Sequence, residues 1–426
     1  MQNFNNFISD LEKLILYKSE EDAPLENMPF GKGVHDALNF FLSLAESMGL
    51  KTKNYDNYMG EVYLGDGEEI GIIGHLDVVP AGTGWTTDPY TLTKIDDVYY
   101  GRGIADDKAP MLLCLYCLKE LKDSNLPLKR KIRLFVGCDE ESGWQDVAYF
   151  ERNNSFPEYG FSPDGDFPVS YAEKGVVKVE FTIPKLKYFS DIKGGTVINA
   201  VCAYATAKAS KEKIIPSLLQ KHGLTVNGDT IISIGKSAHG SQPHLGKNAI
   251  LPLLNYFLDC GEDLENVIDC LFKDKFGLST IKNEQGLLTF SPNLISEENG
   301  KICIKADCRI PAPASLDDLL PKLDEFGIEY NTTLTHPPVM VKKDGWFVST
   351  LLSAYNSVTG DKGQAISLCG STFARVFKKG CAFGCEFPNK NNHIHEPNEC
   401  ISKNSLIDMY KIYKKAIFDL AVDDKN

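Results

Sequence analysis

An α/β fold, with a mostly parallel, helix-flanked sheet interrupted by an inserted α+β segment, is what this sequence predicts, and three observations carry the prediction. Two short apolar runs, residues 69–74 and 132–137, each end at glycine and bracket a helical stretch at about 110–122. Such runs suit buried strands, and strand, helix, strand is the repeat of a parallel, helix-covered sheet. After Gly175 the texture changes: Val177, Val179, Phe181 and Ile183 alternate with polar residues, as do Ile302, Ile304 and Ala306. Alternation marks half-exposed strands. Beyond about residue 338 the chain returns to glycine-rich loops and a closing amphipathic helix.

Taken in order, the chain opens with two helices, since Phe4, Phe7, Ile8, Leu11, Leu14 and Ile15 recur at helical spacing, as do Ala37, Phe40, Phe41, Leu44 and Met48. The βαβ pattern of 69–137 follows. Helical stretches near 248–258 and 316–325 lie among the alternating strands, so 176–338 reads as an α+β domain inserted into one formed by 1–175 and 339–426. Leu406, Met409, Tyr410, Tyr413 and Ile417 line one side of the last helix. His395 must therefore fold back beside His75.

A chain of 426 residues, 43% hydrophobic and 24% charged, is long enough for two or three buried cores. Its net charge of -13 repels a phosphate backbone, which argues against nucleic acid as a partner. The first 16 residues show no basic leader with an apolar core, and no later stretch is apolar for the ~20 residues that a membrane helix needs. A cytoplasmic protein without membrane contact is expected. The 12 cysteines are scattered, so free thiols are the simpler reading. Cys114-x-x-Cys117 lies in an apolar helical run, and a cysteine zinc site with Cys381 and Cys385 is the weaker alternative.

Residues that carry chemistry cluster after the predicted strands. His75 ends an apolar run, and in His75-x-Asp77 both side chains point to one face, so Asp77 can orient an imidazole that binds metal. Asp106 sits on a tight turn before a helix, where one carboxylate can bridge two zinc ions about 3.5–4 Å apart. Asp106 or Asp107 can equally cap that helix. Glu140 and Glu141 follow the second strand and can divide the labour, Glu141 as ligand and Glu140 as general base toward a metal-bridging water. Asp164, in an Asp-Gly turn, offers a further ligand. His395 offers another, with Glu399 or His393 as support. Read singly, each of these is an ordinary turn, cap or solvated loop. Together they supply every ligand and the base of a two-zinc hydrolase. Phosphate-binding and serine-nucleophile motifs are incomplete: Gly235-Lys236-Ser237 has Thr230 where a P-loop needs glycine.

The strings Gly74-His-Leu-Asp-Val-Val-Pro-Ala-Gly-Thr-Gly-Trp85, Gly101-Arg-Gly-Ile-Ala-Asp-Asp-Lys108, Asp139-Glu-Glu-Ser-Gly-Trp144 and Ser162-Pro-Asp-Gly-Asp-Phe-Pro168 strongly resemble the dinuclear zinc metallopeptidase family of carnosinases, aminoacylases and bacterial dipeptidase V. The resemblance covers nearly the whole chain and is closest to the dipeptidase V branch, through Ser237-Ala-His-Gly-Ser-Gln-Pro243, Asp307-Cys-Arg-Ile-Pro311 and Gly370-Ser-Thr-Phe-Ala-Arg375. It implies a zinc-peptidase catalytic domain with an inserted lid. His75, Asp106 and Asp164 would hold one Zn2+, and Asp106, Glu141 and His395 the other, with Mn2+ or Co2+ as substitutes. Glu140 would be the base, and a cis peptide would join Asp106 to Asp107. His239 would stabilise the oxyanion, Arg309 and Asn199 would receive the substrate carboxylate, and Arg375 would contact substrate or order the site. The enlarged lid implies a monomer that supplies its own histidine to a small peptide substrate. Cys202, Cys369 and Cys385 depart from the branch's usual residues and bear on substrate preference. A zinc dipeptidase is the leading expectation. An N-acyl-amino-acid deacylase with the same metal site is the alternative, and a non-catalytic metal or peptide binder is the third reading.

Overall fold

The computed structural model describes residues 4–422 apart from Gln285 and Cys369. The chain divides into two compact units: Met1–Tyr171, Met340–Ile366 and Thr372–Asn426 form the first, and Ala172–Val339 with Ser367–Ser371 the second.

In the first unit four parallel strands form the middle of a mixed sheet, in the order Arg130–Gly137, Glu68–His75, Tyr159–Ser162, Lys379–Ala382. Their central residues are apolar on both faces. Ile72, Ile73, Leu134, Phe135, Val136 and Phe161 have no exposed surface, and each such side chain contributes roughly 1.5–3 kcal/mol by leaving water. The strands Met59–Leu64 and Lys51–Tyr55 extend one side antiparallel, the outer one largely exposed. The helix Lys108–Asp123 is buried over most of its circumference. It packs against the helices Phe4–Ile15 and Lys403–Val422 on one side and the sheet on the other, which accounts for its nearly unbroken apolar run.

All four parallel strands deliver their carboxyl ends to one edge, and that edge gathers the chemistry. His75 is the last residue of its strand and pairs with Gly137. Glu140 and Glu141 come just beyond Gly137, Asp164 just beyond Ser162, and the loop to His395 leaves from Ala382.

The second unit is built on an eight-stranded sheet whose neighbouring strands are all antiparallel, with Gly175–Pro184, Lys301–Ile310 and Thr289–Glu298 side by side. Val177, Val179 and Phe181 point into a core shared with the helices Ile250–Asp259, Glu265–Phe272 and Leu316–Asp324. The last of these starts with a capping box between Ser315 and Asp318, which satisfies two orphan backbone donors. Every described cysteine is free and all but Cys400 are buried, so the cysteine pairs noted in the sequence are core residues; Cys369 lies outside the described residues. No described helix is long and apolar enough to cross a membrane.

Candidate metal centre

His75 is fully buried. Its Nε2 lies 3.0 Å from Asp106 Oδ1, and Asp106 Oδ2 lies 2.9 Å from Nε2 of His395. Asp106 therefore turns one oxygen to each imidazole. His395 Nε2 is also 3.1 Å from Glu141 Oε1. One ligand atom from each of His75, Asp106 and Glu141 falls within 4.8 Å of the others, the one such group of metal-ligating side chains found among the described residues.

Burial and charge agree with that grouping. Burial raises Asp164 well above the usual carboxylate range, and the neighbouring charge of Asp106 and Glu141 pushes it further while His75 and His395 pull it back. Glu140 is raised by burial and by Asp164, Glu141 and Asp106, with His75 opposing. Glu141 is raised by burial and by Asp106, against the pull of His395. Among the described residues no lysine or arginine pairs with Asp106, Glu140, Glu141 or Asp164. The four crowded carboxyls thus have only the two imidazoles to balance them, and divalent cations would supply the remaining positive charge. Oxygen and imidazole donors with no thiolate suit zinc, manganese or cobalt. The residues present thus fit a pair of such ions.

The surroundings keep Asp77 beside His75 and correct the expectations for Glu399, His393 and Asp107. Asp77 meets His75 chiefly through its main chain: His75 Nδ1 is 3.0 Å from Asp77 O and 3.5 Å from carboxylate Oδ1. The other carboxylate oxygen accepts the N–H of Glu141 at 3.0 Å, so Asp77 ties the two ligand loops together. Neither Glu399 nor His393 supports the ring of His395. Glu399 accepts backbone N–H groups around Asp106, and His393 Nδ1 lies 3.2 Å from Glu396. Asp107 stands before the helix without capping it; its Oδ2 accepts the N–H of His75 at 3.3 Å instead. The Asp106–Asp107 peptide is cis.

Sequence reasoning missed Asp139 and Asp146, which brace the glutamate loop. Asp146 accepts from Cys138 N at 2.8 Å, and burial raises it to about 7. Asp139 accepts from Gly143 N at 3.0 Å and Gln145 N at 2.8 Å. Their partners are backbone N–H groups, which no residue type announces. Arg375 is half-buried in the turn Phe373–Val376, where the ring of Phe373 meets His75 edge-on at 6.2 Å.

In the second unit, His239, Asn199 and Arg309 belong to one cluster. Gly240 N donates to Asn199 O at 2.6 Å, and Ala200 bridges to His239. A Cβ on Gly240 would lie 2.6 Å from Asp307 Oδ2, so only glycine lets the loop approach. Asp307, given no role in the sequence, accepts from Arg309 Nε and Nη2 at 2.9 Å each. The side-on fork of Arg309 is taken by Asp307, which leaves the end-on edge of the guanidinium for any further acceptor. Residues at i and i+2 on a strand share a face, a signal by which Asp307-x-Arg309 was readable. His239 Nδ1 accepts from the backbone N–H of Ser241 at 3.2 Å and lies 2.6 Å from its hydroxyl, which places the ring proton of the neutral imidazole on Nε2.

The family model described as peptidase family M20/M25/M40 matches residues 71–419. A β-Ala-Xaa dipeptidase of Lactobacillus delbrueckii subsp. lactis is 33% identical over 456 residues, covering 98% of this chain and 96% of that protein. Human carnosine dipeptidase 1 shares the fold with a TM-score of 0.58 at 15% identity, over 98% of this chain and 97% of the other. A dinuclear metal-binding peptidase of Bacillus subtilis does so with a TM-score of 0.54 at 10% identity, over 98% and 99%.

Proposed function

The chain belongs to the peptidase family M20/M25/M40, and from that premise we propose that it is a metal-dependent dipeptidase working at the centre around Asp106. The observation that carries this reading is Asp106 itself, whose two oxygens lie 3.0 and 2.9 Å from the imidazoles of His75 and His395. His75, Asp106 and Asp164 would hold one divalent ion, and Asp106, Glu141 and His395 the second. When bound, such ions lower the pKa of water to about 7 and polarise a carbonyl.

The chain's own groups do the rest. Glu140 accepts a proton on its carboxylate as water attacks the peptide carbonyl, and passes it to the leaving amine. Its crowding by Asp164, Glu141 and Asp106 favours a group that readily takes up a proton. Asp77 fixes the height of His75 and the course of the Glu141 loop. His239, with its proton on Nε2, donates to the oxyanion, and Arg309 receives the substrate's terminal carboxylate on its end-on edge beside Asn199. Arg375 is assigned to ordering the site beside Phe373. In this reading 1–175 with 339–426 is the catalytic domain and 176–338 the lid. Zinc as the physiological ion, a monomeric state and a cytoplasmic location belong to the same proposal, the last supported by eleven described cysteines that are all free.

Glu140→Gln tests the assignment. The variant is expected to bind two ions per chain, measured by metal analysis, while hydrolysis of a dipeptide panel falls by at least a thousandfold. Residual activity within tenfold of wild type would remove Glu140 as the base. N-acetyl amino acids in the same panel decide against a deacylase if they turn over far more slowly than dipeptides.

A further inference from the structure

Glu399 has no exposed surface and makes an unusual set of contacts. Its Oε1 accepts the N–H of Ala105 at 2.8 Å and of Asp106 at 3.2 Å, and its Oε2 accepts the N–H of Gly103 at 3.0 Å. Arg102, itself 1% exposed, donates from Nη1 to Oε2 at 2.7 Å. The Arg102 guanidinium lies 5.3 Å from the ring of Trp85 and donates to Glu396 O at 3.4 Å. The main chain of Glu399 takes part as well, since Gly101 N donates to its carbonyl at 3.1 Å. Just beyond, Cys400–Ser402 pairs antiparallel with Val98–Tyr100. Residues 98–106 and 396–402 are thus closed on each other like a seam, and Glu399 is its buried fastening.

Three converging backbone N–H groups form the kind of concavity that binds an anion. Here the anion is a side chain of the protein, and charge-assisted bonds of this type are about twice as strong as neutral ones. The consequence falls on Asp106. Its carboxylate oxygens must lie between His75 from one strand end and His395 from a loop far along the chain. The turn closes on itself through Ile104 N to Gly101 O and Lys108 N to Gly103 O, but the side chain of Asp106 makes its contacts among the described residues to the two imidazoles. Glu399, four residues after His395, holds the backbone N–H of Asp106 directly. One side chain therefore sets the register between the bridging carboxylate and the distant imidazole.

We propose that Glu399 is the positioning residue of the metal centre: it holds the 103–106 turn so that Asp106 turns one carboxylate oxygen toward His75 and the other toward His395, the arrangement that would hold two ions. The assignment rests on the metal-site reading above and goes beyond it, since Glu399 would touch neither ion nor substrate.

Glu399→Gln keeps the size but offers one acceptor oxygen where the carboxylate offers two. The measurement is zinc affinity of the full chain by competition with a chromophoric chelator, alongside a thermal melt of the metal-free protein. The expected result is a tenfold to hundredfold weaker affinity for at least one ion with a cooperative melt retained, the range seen when outer partners of ligands are lost. Dipeptide turnover lost at limiting zinc should return as zinc is raised, which a general structural defect would not allow. Wild-type affinity in Glu399→Gln overturns the assignment, and so does a loss of turnover that added zinc leaves unchanged. Should Glu399→Gln fail to fold, Glu399→Asp decides: it keeps the charge but draws the carboxylate back by one methylene from the three N–H groups, and an affinity within twofold of wild type overturns the proposal. A wild-type chain that takes up no zinc overturns both this assignment and the metal-site reading, whereas wild-type uptake with unaltered variants overturns this one alone.

Discussion

At the scale of single residues the proposed centre would be governed by competition between protons and metal for the same atoms. Burial disfavours a charged His395, yet hydrogen bonds to Asp106 and Glu141, and their charge, outweigh it and push the imidazole up to about 11. The side chain is 53% exposed, so solvent screens part of that pull. His75 is likewise raised, with burial overcome by Asp106 and Asp77. Without metal both rings are biased toward the protonated form, whereas a ligand must present a bare nitrogen. Metal uptake therefore releases protons, and raising the pH favours it. Apparent zinc affinity is expected to rise by up to about tenfold per pH unit for each proton displaced between pH 6 and 8, read by chelator competition at fixed ionic strength. A flat profile would mean that the imidazoles are already neutral.

At the scale of elements the strand Glu68–His75 and the helix Lys108–Asp123 meet where the proposed metal ligands emerge, and their spacing depends on Gly74. A Cβ there would lie 1.9 Å from Asp107 Oδ2 and 2.6 Å from Met111 Sδ. Neither neighbour has room to retreat, because Asp107 and Met111 are both fully buried. Gly74→Ala must then push the helix start from the strand end, carrying Asp106 away from His75. Overpacking of this kind costs about 1–3 kcal/mol, so urea unfolding should show a loss of that size together with weakened zinc binding. An alanine variant of native stability would show that the junction is looser than its contacts imply. The same elements were readable beforehand, since residues 69–74 and 132–137 are apolar runs ending at glycine and the helix between them is apolar all round. The meeting of Gly74 with Asp107 was not readable, because it joins positions on different elements.

On the scale of the whole molecule, the two units have separate cores, and every proposed metal ligand lies in the first. A ligand that binds only the folded state stabilises it by RT ln(1 + [L]/Kd), about 2.7 kcal/mol for each site at a hundredfold excess over Kd. Calorimetry is expected to show zinc raising the transition of the first unit while a transition of the second stays in place. A uniform shift of one transition would show that the units unfold together. The first unit also depends on pairing Lys379–Ala382 with Tyr159–Ser162, strands some 220 positions apart with the second unit's chain between them.

Local chemistry was legible in the sequence because it is written in residue types and periods: alternation for strands, helical spacing for helices, and carboxylates and histidines placed after apolar runs. His75, Asp106, Glu141 and His395 were identified this way, and the structure brings them together. What only the tertiary structure decided was which atoms meet. Asp77 uses its carbonyl on His75, Asp307 occupies the fork of Arg309, and Glu399 serves the turn before Asp106 rather than the ring of His395. The physical reason is that these contacts run largely to backbone N–H and C=O groups, which every residue carries alike, so that only the path of the folded chain selects among them.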